Sequence, residues 1–426
     1  MTTAPLTRAR RATPALALAL TTVLLTACAG APGGSSADGT PTPAPTTPTA
    51  QERATAVTRL AVSYDGGVQV LDAATLEVVA DLPLDGYLRL NPAGDGRHVL
   101  VSTGEGFRLL DAGTWSDEHG DHAHHFTVDP LLTDVTFPAV TPGHVVVHDG
   151  RTALFDDGTG TVTVLDAHHV ADGPDGPDVR THTTPHAHHG VAVELHDGTL
   201  VVSEGTEEVR DGARALDADG TEIAAATGCP GVHGESVAAD DVVAIGCQNG
   251  VLLYRDGTFT HVASPDPYGR IGNQAGSEAS PVVLGDYKSD PDADLERPTR
   301  VALVDTRTAT LRLVDLPASY TFRSLARGDD GEALVLGTDG ALHVIDPQTG
   351  ELVRSVPVVA PWEEPEEWQT PRPAVRVHDG TAYVTEPATR SIHAVDVLTG
   401  EVYRSARLDV VPDELTVTPG TVPHSH

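Results

Sequence analysis

Histidines and carboxylates crowd two short segments of this chain. Thirteen of the 21 histidines lie between His119 and His196, most densely in Asp117-Glu118-His119-Gly120-Asp121-His122-Ala123-His124-His125 and in His186-Ala187-His188-His189-Gly190. Neutral imidazoles packed this closely beside carboxylates favour binding of Zn2+, Cu2+ or Ni2+ over acid–base catalysis. The sequence therefore predicts a metal site built mainly from histidine, with zinc as the expected ion.

A third histidine motif completes the predicted ligand set. It is the segment Cys229-Pro230-Gly231-Val232-His233-Gly234-Glu235. Because a zinc site takes three or four ligands, we expect them from His186 or His188, His189, His233 and one histidine of the 119–125 run. Glu235 or Asp121 is expected to orient an imidazole from behind.

The 119–125 run has a different predicted role from the rest of the set. Its four histidines, His119, His122, His124 and His125, are expected to capture ions loosely, and an acidic insertion without metal is the alternative. Outside the predicted set, His148, His196 and His378 each occupy a His-Asp-Gly turn and are interpreted as turn residues, and His144, His168 and His169 are not included.

An aspartate that follows an apolar strand recurs along the chain every 39 to 55 residues, at Asp72, Asp111, Asp166, Asp217, Asp256, Asp305, Asp346 and Asp396. Such spacing, with short β-branched runs and Gly, Asp and Pro turns, predicts an all-β fold: a β-propeller with four antiparallel strands per blade. Eight aspartates favour eight blades, with seven as the alternative. The first unit lacks a strand, which Leu415–Thr418 is expected to supply.

The predicted propeller explains how distant histidines could meet. The connections that enter the innermost strands lie beside the central axis at one rim. We expect three such connections, carrying 119–125, 186–189 and His233, to converge at one mouth of the channel. Cys229 and Cys247 are expected at the same rim. In an exported chain they favour a disulfide, with a thiolate metal pair as the alternative.

The N-terminal residues have the pattern of a bacterial lipoprotein signal. Three arginines precede an apolar run that ends in Leu25-Thr26-Ala27-Cys28. The predicted organisation is a signal peptide over 1–27, a flexible linker over 28–54 lipidated at Cys28, one propeller over 55–420, and a tail over 421–426. The protein would then be exported and held by lipid outside the cytoplasmic membrane.

The charge of the chain excludes some partners. Its formal net charge is −34, and removal of residues 1–27, which hold three arginines and no acid, makes it −37. A field of that sign repels phosphate, so nucleic acid and anionic lipid surfaces are unexpected partners. We expect a monomer that contacts the membrane only through its lipid.

The motifs at 119–125, 185–190 and 229–235 together resemble the AztD-type zinc metallochaperones, and the resemblance extends from about Val57 to Thr418. It implies an extracytoplasmic β-propeller that binds zinc and delivers it to the solute-binding protein of a zinc ABC importer. It also implies His186, His188, His189 and His233 as candidate ligands. Lipid attachment at Cys28 departs from a freely diffusing carrier and favours delivery to a neighbouring tethered receptor.

Two other functions compete with zinc transfer. A metal-dependent hydrolase or lactonase would use an open coordination position to activate water, and it needs a general base, for which Glu235 is the candidate. The other is a non-catalytic interaction propeller whose histidines buffer metal. Hydrolase, P-loop and dinucleotide-binding motifs do not occur in a usable context, so the chain is predicted not to be an enzyme.

Overall fold

A computed structural model describes residues 49–120 and 122–422. Within them the first strands are β1 Gln51–Arg53, β2 Arg59–Tyr64, β3 Gly67–Asp72, β4 Val78–Pro83, β5 Arg89–Pro92, β6 His98–Thr103, β7 Gly106–Asp111, β8 Thr114–His119, β9 His122–Thr127, β10 Leu131–Pro138, β11 Pro142–His148, β12 Arg151–Asp156 and β13 Thr161–Asp166. A 3-10 helix, Ala167–Asp172, follows β13.

The chain continues with β14 Arg180–Thr183, β15 Ala192–Glu194, β16 Leu200–Gly205, β17 Arg210–Leu216, β18 Glu222–Pro230, β19 Glu235–Ala238, β20 Val242–Cys247, β21 Gly250–Arg255, β22 Thr258–Ala263, β23 Gln274–Ala275 and β24 Val282–Asp286. The last strands are β25 Arg300–Asp305, β26 Thr310–Asp315, β27 Leu325–Arg327, β28 Ala333–Leu336, β29 Ala341–Ile345, β30 Leu352–Pro357, β31 Val375–His378, β32 Thr381–Glu386, β33 Ser391–Asp396, β34 Val402–Arg407 and β35 Leu415–Thr418.

These strands form four-stranded antiparallel sheets that follow one another along the chain. Their orders are β35-β2-β3-β4, β5-β6-β7-β10, β11-β12-β13-β14, β15-β16-β17-β18, β19-β20-β21-β22, β23-β24-β25-β26, β27-β28-β29-β30 and β31-β32-β33-β34. The recurrent aspartates of the sequence lie at the end of the third strand in each sheet. Asp346 shows why, since its Oδ1 accepts hydrogen bonds from the amides of Gln348 and Thr349, at 2.8 and 3.0 Å, and so builds the turn to the fourth strand.

The core lies between the faces of successive sheets. Each buried apolar cluster joins two neighbouring sheets, as when Phe155 of β12 packs in one cluster with Leu200 of β16. The series closes on itself, because Ile392 of β33 shares a cluster with Leu60 of β2. The described sheets therefore form a ring, and the predicted all-β propeller fold is confirmed.

The ring is closed by the strand that the sequence predicted. β35 pairs antiparallel with β2, with Leu60 opposite Val417 and Val62 opposite Leu415. The C-terminal strand therefore becomes the innermost strand of the first sheet. We call the end of the ring where the innermost strands begin the entry rim, and the end where they finish the exit rim.

The histidine-rich 119–125 run is a hairpin rather than a connection into an innermost strand. β8 and β9 pair with His119 opposite His122, and β1 adds a third strand through Arg53 opposite His125. This small sheet is inserted between β7 and β10, the third and fourth strands of their sheet. Alternating strand direction places that connection at the exit rim, so the expectation that the run joins the other histidines at one mouth is wrong.

Several predicted features fall outside the described residues or differ in extent from the structure. The signal peptide over 1–27, Cys28, the linker up to 48, Asp121 and residues 423–426 lie outside the described ranges. Residues 51–53, placed in the predicted linker, form β1 and pair with β9. No helix of the described residues is long and apolar enough to cross a membrane.

Candidate metal site at the entry rim

Three histidines from three successive sheets meet at the entry rim. His144 lies near the start of β11, His189 in the connection to β15 and His233 in the connection to β19. One nitrogen from each ring can be chosen so that all three lie within 4.8 Å of one another. The ring centroids are 4.9 to 5.5 Å apart. The three connections therefore bring together a set of imidazoles that suits a metal ion.

The backbone of each connection fixes its histidine. The amide of His233 donates to the carbonyl of Gly246 at 3.1 Å, which ties the connection to β20. Gly143, beside His144, allows Asp157 to approach, since a Cβ there would lie 2.2 Å from Asp157 Oδ1. A side chain at position 143 would displace Asp157, which is also the partner of His189.

Each ring has its Nδ1 against an acceptor. His189 Nδ1 lies 2.5 Å from Asp157 Oδ2, and His233 Nδ1 lies 2.5 Å from the carbonyl oxygen of Gly272. His144 Nδ1 lies 2.9 and 3.2 Å from the two carboxylate oxygens of Glu235.

The acceptors determine the tautomer of the three rings. A carbonyl or carboxylate oxygen can only accept, so Nδ1 of each neutral ring carries the proton and Nε2 keeps its lone pair. This is the arrangement in which metal-binding histidines are held by outer partners that orient the ring and make it a better donor.

Burial keeps His233 neutral. Desolvation lowers the pKa of its imidazole well below the ordinary value, and the positive charges that His144 and His189 can carry lower it further. Arg270 acts in the same direction, whereas the hydrogen bond to the carbonyl of Gly272 raises the pKa. The Nε2 lone pair of His233 therefore remains available to a metal at neutral pH and below.

The structure separates the predicted ligands of the 186–189 segment. His186 is exposed, and His188 is only 2% exposed and turned away from the cluster. His188 Nε2 lies 2.9 Å from Ser203 Oγ, and its Nδ1 lies 2.9 Å from the carbonyl oxygen of His186. Of this segment the structure brings only His189 to the triad of His144, His189 and His233.

The predicted partner Glu235 lies behind a ring, as expected, but that ring belongs to His144. His144 lies outside the ligand set predicted from the sequence. The sequence held only a weak indication of His144. It follows Pro142-Gly143 at the start of an innermost strand, and His189 and His233 lie just before the innermost strands of the next two sheets.

The hairpin histidines form a second group, at the other rim. His119, His122 and His124 are neighbours on one face, with ring centroids 5.1 to 6.3 Å apart. His124 Nδ1 lies 2.8 Å from Glu52 Oε1. His125 points to the other face, where its Nδ1 lies 2.7 Å from Ser116 Oγ, and that hydroxyl also lies 2.6 Å from the carbonyl oxygen of Gly420.

The predicted disulfide is confirmed. Cys229 at the end of β18 and Cys247 at the end of β20 are bonded, with their Cα atoms 4.9 Å apart. Both cysteines lie at the entry rim and are fully buried. The bond encloses the connection that carries His233, and so limits the motion of one arm of the triad.

The fold and the site together define a β-propeller protein with a preformed cluster of three imidazoles at one mouth of its ring. The curated zinc chaperone AztD of Citrobacter koseri is 28% identical over 341 residues, which are 77% of this chain and 78% of that protein. No family model matches the chain.

Solved structures give the same result. The crystal structure of Citrobacter koseri AztD has a TM-score of 0.74 and 26% identity, covering 85% of this chain and 98% of that one. Its apo structure has a TM-score of 0.72 and 25% identity over the same shares. Dihydro-heme d1 dehydrogenase NirN, with a TM-score of 0.56, 13% identity and coverage of 88% and 78%, shares the fold alone. The resemblance to AztD-type proteins is therefore confirmed.

Proposed function

We propose that this protein is a zinc metallochaperone whose tight site is the triad of His144, His189 and His233. The observation that carries the proposal is the orientation of the three rings, each with Nδ1 engaged from behind and Nε2 left to bind metal. Imidazole nitrogen is a preferred ligand of Zn2+. The likeness to a protein named zinc chaperone AztD supports zinc as the cargo.

A site with three protein ligands also suits transfer. Tetrahedral zinc held by three imidazoles keeps one position for an outside ligand. A receiving protein can enter there and take over the ion stepwise, without first releasing it to water. The triad lies at a rim and its rings are only partly buried, so that such a ligand can reach it.

We propose that the receiver is the solute-binding protein of a zinc ABC importer and that the exchange takes place outside the cytoplasmic membrane. The export signal and the lipid site at Cys28, read from the sequence, support this location. The hairpin histidines His119, His122, His124 and His125 would bind further ions more weakly at the exit rim. His186 and His188 would act outside the tight site.

The geometry gives no support to the hydrolase alternative. Glu235, the carboxylate that the sequence offered as a general base, lies against Nδ1 of His144, on the side of the ring opposite Nε2. A base must reach the metal-bound water itself. Glu235 is therefore a positioning residue, and its placement favours metal transfer over catalysis.

Calorimetric zinc titration of the purified protein tests the proposal. The triple variant His144→Ala/His189→Ala/His233→Ala should lose one tight equivalent, and the control His168→Ala, at an exposed histidine outside both groups, should keep it. A variant with His119, His122 and His124 changed to Asn should lose only weak binding. A tight equivalent that survives in the triple variant would place the zinc site elsewhere.

Transfer needs a separate measurement. The zinc-loaded protein is mixed with the zinc solute-binding protein of the same cell, and the rate of zinc movement is compared with the rate of zinc loss to a chelator. Movement faster than loss to the chelator supports direct handover. Equal rates would show that the ion passes through solution, and the protein would then be a zinc buffer.

A further inference from the structure

Two arginines lie next to the triad. Each has its guanidinium against the backbone of a residue that belongs to the triad or contacts it. Arg210, at the start of β17, donates from its guanidinium to the carbonyl of His189 at 3.3 Å. Arg270 precedes β23 and packs its guanidinium flat against Gly272, where a Cβ would lie 2.9 Å from its Cζ. The carbonyl of Gly272 is also the acceptor of His233 Nδ1. Both cations are therefore fixed beside the rings.

Neither guanidinium forms a direct ion pair with a described residue. Among the described residues, no carboxylate oxygen forms an ion pair with Arg210 or Arg270 within 4.0 Å. The two nearest acids are already engaged. Asp157 accepts from His189 Nδ1 and, at 3.3 Å, from the amide of Gly190.

The second acid, Asp286, is engaged with backbone through its Oδ1. It accepts from the amides of Gly272 and Asn273, at 2.6 and 3.0 Å. Burial raises the pKa of its carboxyl, whereas the two amide hydrogen bonds, Lys288 and Arg270 lower it.

The two positive charges are unfavourable neighbours. Desolvation lowers the pKa of Arg210 and the charge of Arg270 lowers it further, whereas the carboxylate of Asp157 raises it. Both would also repel a Zn2+ ion bound by the triad. In a chain with a net charge of −34, two partly buried arginines without an ion pair beside a candidate metal site point to an anion from outside.

We propose that Arg210 and Arg270 form a carboxylate subsite beside the triad, and that the bound carboxylate supplies the fourth ligand of zinc. The planar guanidinium fork matches a carboxylate, and zinc accepts carboxylate oxygen readily. The inference rests on the proposed zinc site. The carboxylate comes either from a small free anion or from an Asp or Glu side chain of the receiving protein.

The test uses cobalt in place of zinc, because bound Co2+ shows its coordination in its visible spectrum. The cobalt-loaded protein is titrated with acetate in a non-coordinating buffer. We expect a saturable change in the cobalt bands. Arg210→Gln and Arg270→Gln should each weaken acetate binding at least tenfold, and the control Arg404→Gln, exposed on β34, should leave it unchanged.

A second arm separates the two sources. The blocked peptide Gly-Asp-Gly is compared with acetate, and Gly-Asn-Gly serves as its control. If the Asp peptide binds more tightly than acetate and the Asn peptide does not bind, the carboxylate comes from a protein side chain. If acetate binds as tightly as the Asp peptide, the carboxylate comes from a small free anion.

The failures are distinguishable. If cobalt does not bind at the triad, the proposed zinc site fails. If cobalt binds and neither acetate nor the Asp peptide changes its spectrum up to about 100 mM, the carboxylate subsite is refuted while the zinc site stands. Acetate binding that is unchanged in both arginine variants also refutes it. Should a Gln variant fail to fold, Arg210→Lys and Arg270→Lys keep the charge without the fork and should weaken binding by a smaller factor.

Discussion

His188 and His233 are expected to differ completely in what their loss does, although the sequence offered both as ligands. His233→Ala removes one of the three ring nitrogens that lie within 4.8 Å of one another, whereas His188→Ala removes a buried ring that is hydrogen-bonded to Ser203 and to the carbonyl of His186. The first change should reduce zinc affinity and lower stability only through the loss of one hydrogen bond, to Gly272, worth about 1 kcal/mol. The second should reduce stability and leave zinc affinity unchanged.

The structure sets the size of both effects. Structural zinc sites are worth about 10–16 kcal/mol over four ligands, so one imidazole contributes roughly 3 kcal/mol, a rise of about a hundredfold in Kd. His188→Ala loses two hydrogen bonds of about 1 kcal/mol each and leaves a small cavity beside Phe155, whose ring centroid lies 5.2 Å from that of His188. The sum is roughly 3 kcal/mol of unfolding free energy, or a fall of about 3–4 °C in Tm for a domain of this size.

Two assays separate the variants. Zinc Kd is measured by competition with a chelator, and thermal unfolding is followed by circular dichroism in the metal-free protein. His168→Ala serves as a control for the loss of an exposed imidazole. A hundredfold loss of zinc affinity in His188→Ala, with a parental Kd in His233→Ala, would refute the assignment of the triad.

Three further outcomes are expected. Asp157→Asn should weaken zinc binding ten- to a hundredfold by chelator competition, because the ring that it orients loses a charged acceptor; an unchanged Kd would contradict that role. Reduction of the disulfide should lower the free energy of unfolding by roughly 3 kcal/mol in urea, and an unshifted midpoint would contradict the estimate. Burial opposes ionisation of Asp95, but hydrogen bonds from His98 lower its pKa overall. Its contribution to stability is therefore complete above pH about 4, the unfolded value, and is lost below it. Asp95→Asn should flatten the loss of stability between pH 5 and 3, and equal slopes would count against it.

The four-stranded repeat could be predicted from the sequence because the aspartate that marks it interacts only with residues of its own turn. An aspartate such as Asp346 must follow the third strand to accept the amides of its own turn, so it recurs in every sheet. The pairing of β35 with β2 was predictable for a related reason, since a ring with one incomplete sheet has a single place for a leftover strand.

The metal site was harder to predict, because which histidines belong to it depends on the direction of their side chains. His188 and His189 are adjacent in sequence, and strands with both faces buried give no alternation that would tell which ring faces the axis. His144 gave no cluster signal, because its partners come from two other sheets. The 119–125 run was wrongly predicted to be a loop because its histidines are so dense, whereas its described residues pair as β8 and β9.

The closure of the ring by β35 has a consequence for how the chain comes to be folded. Thr418 Oγ1 donates a hydrogen bond to the carbonyl of Arg59, 359 positions earlier, so the first sheet is complete only after residues 415–418 have been made. Contacts so distant in sequence slow folding, and a ring that lacks its final strand exposes an open sheet edge. A chain truncated just before β35 would therefore be prone to aggregation and degradation, although it would be only slightly shorter.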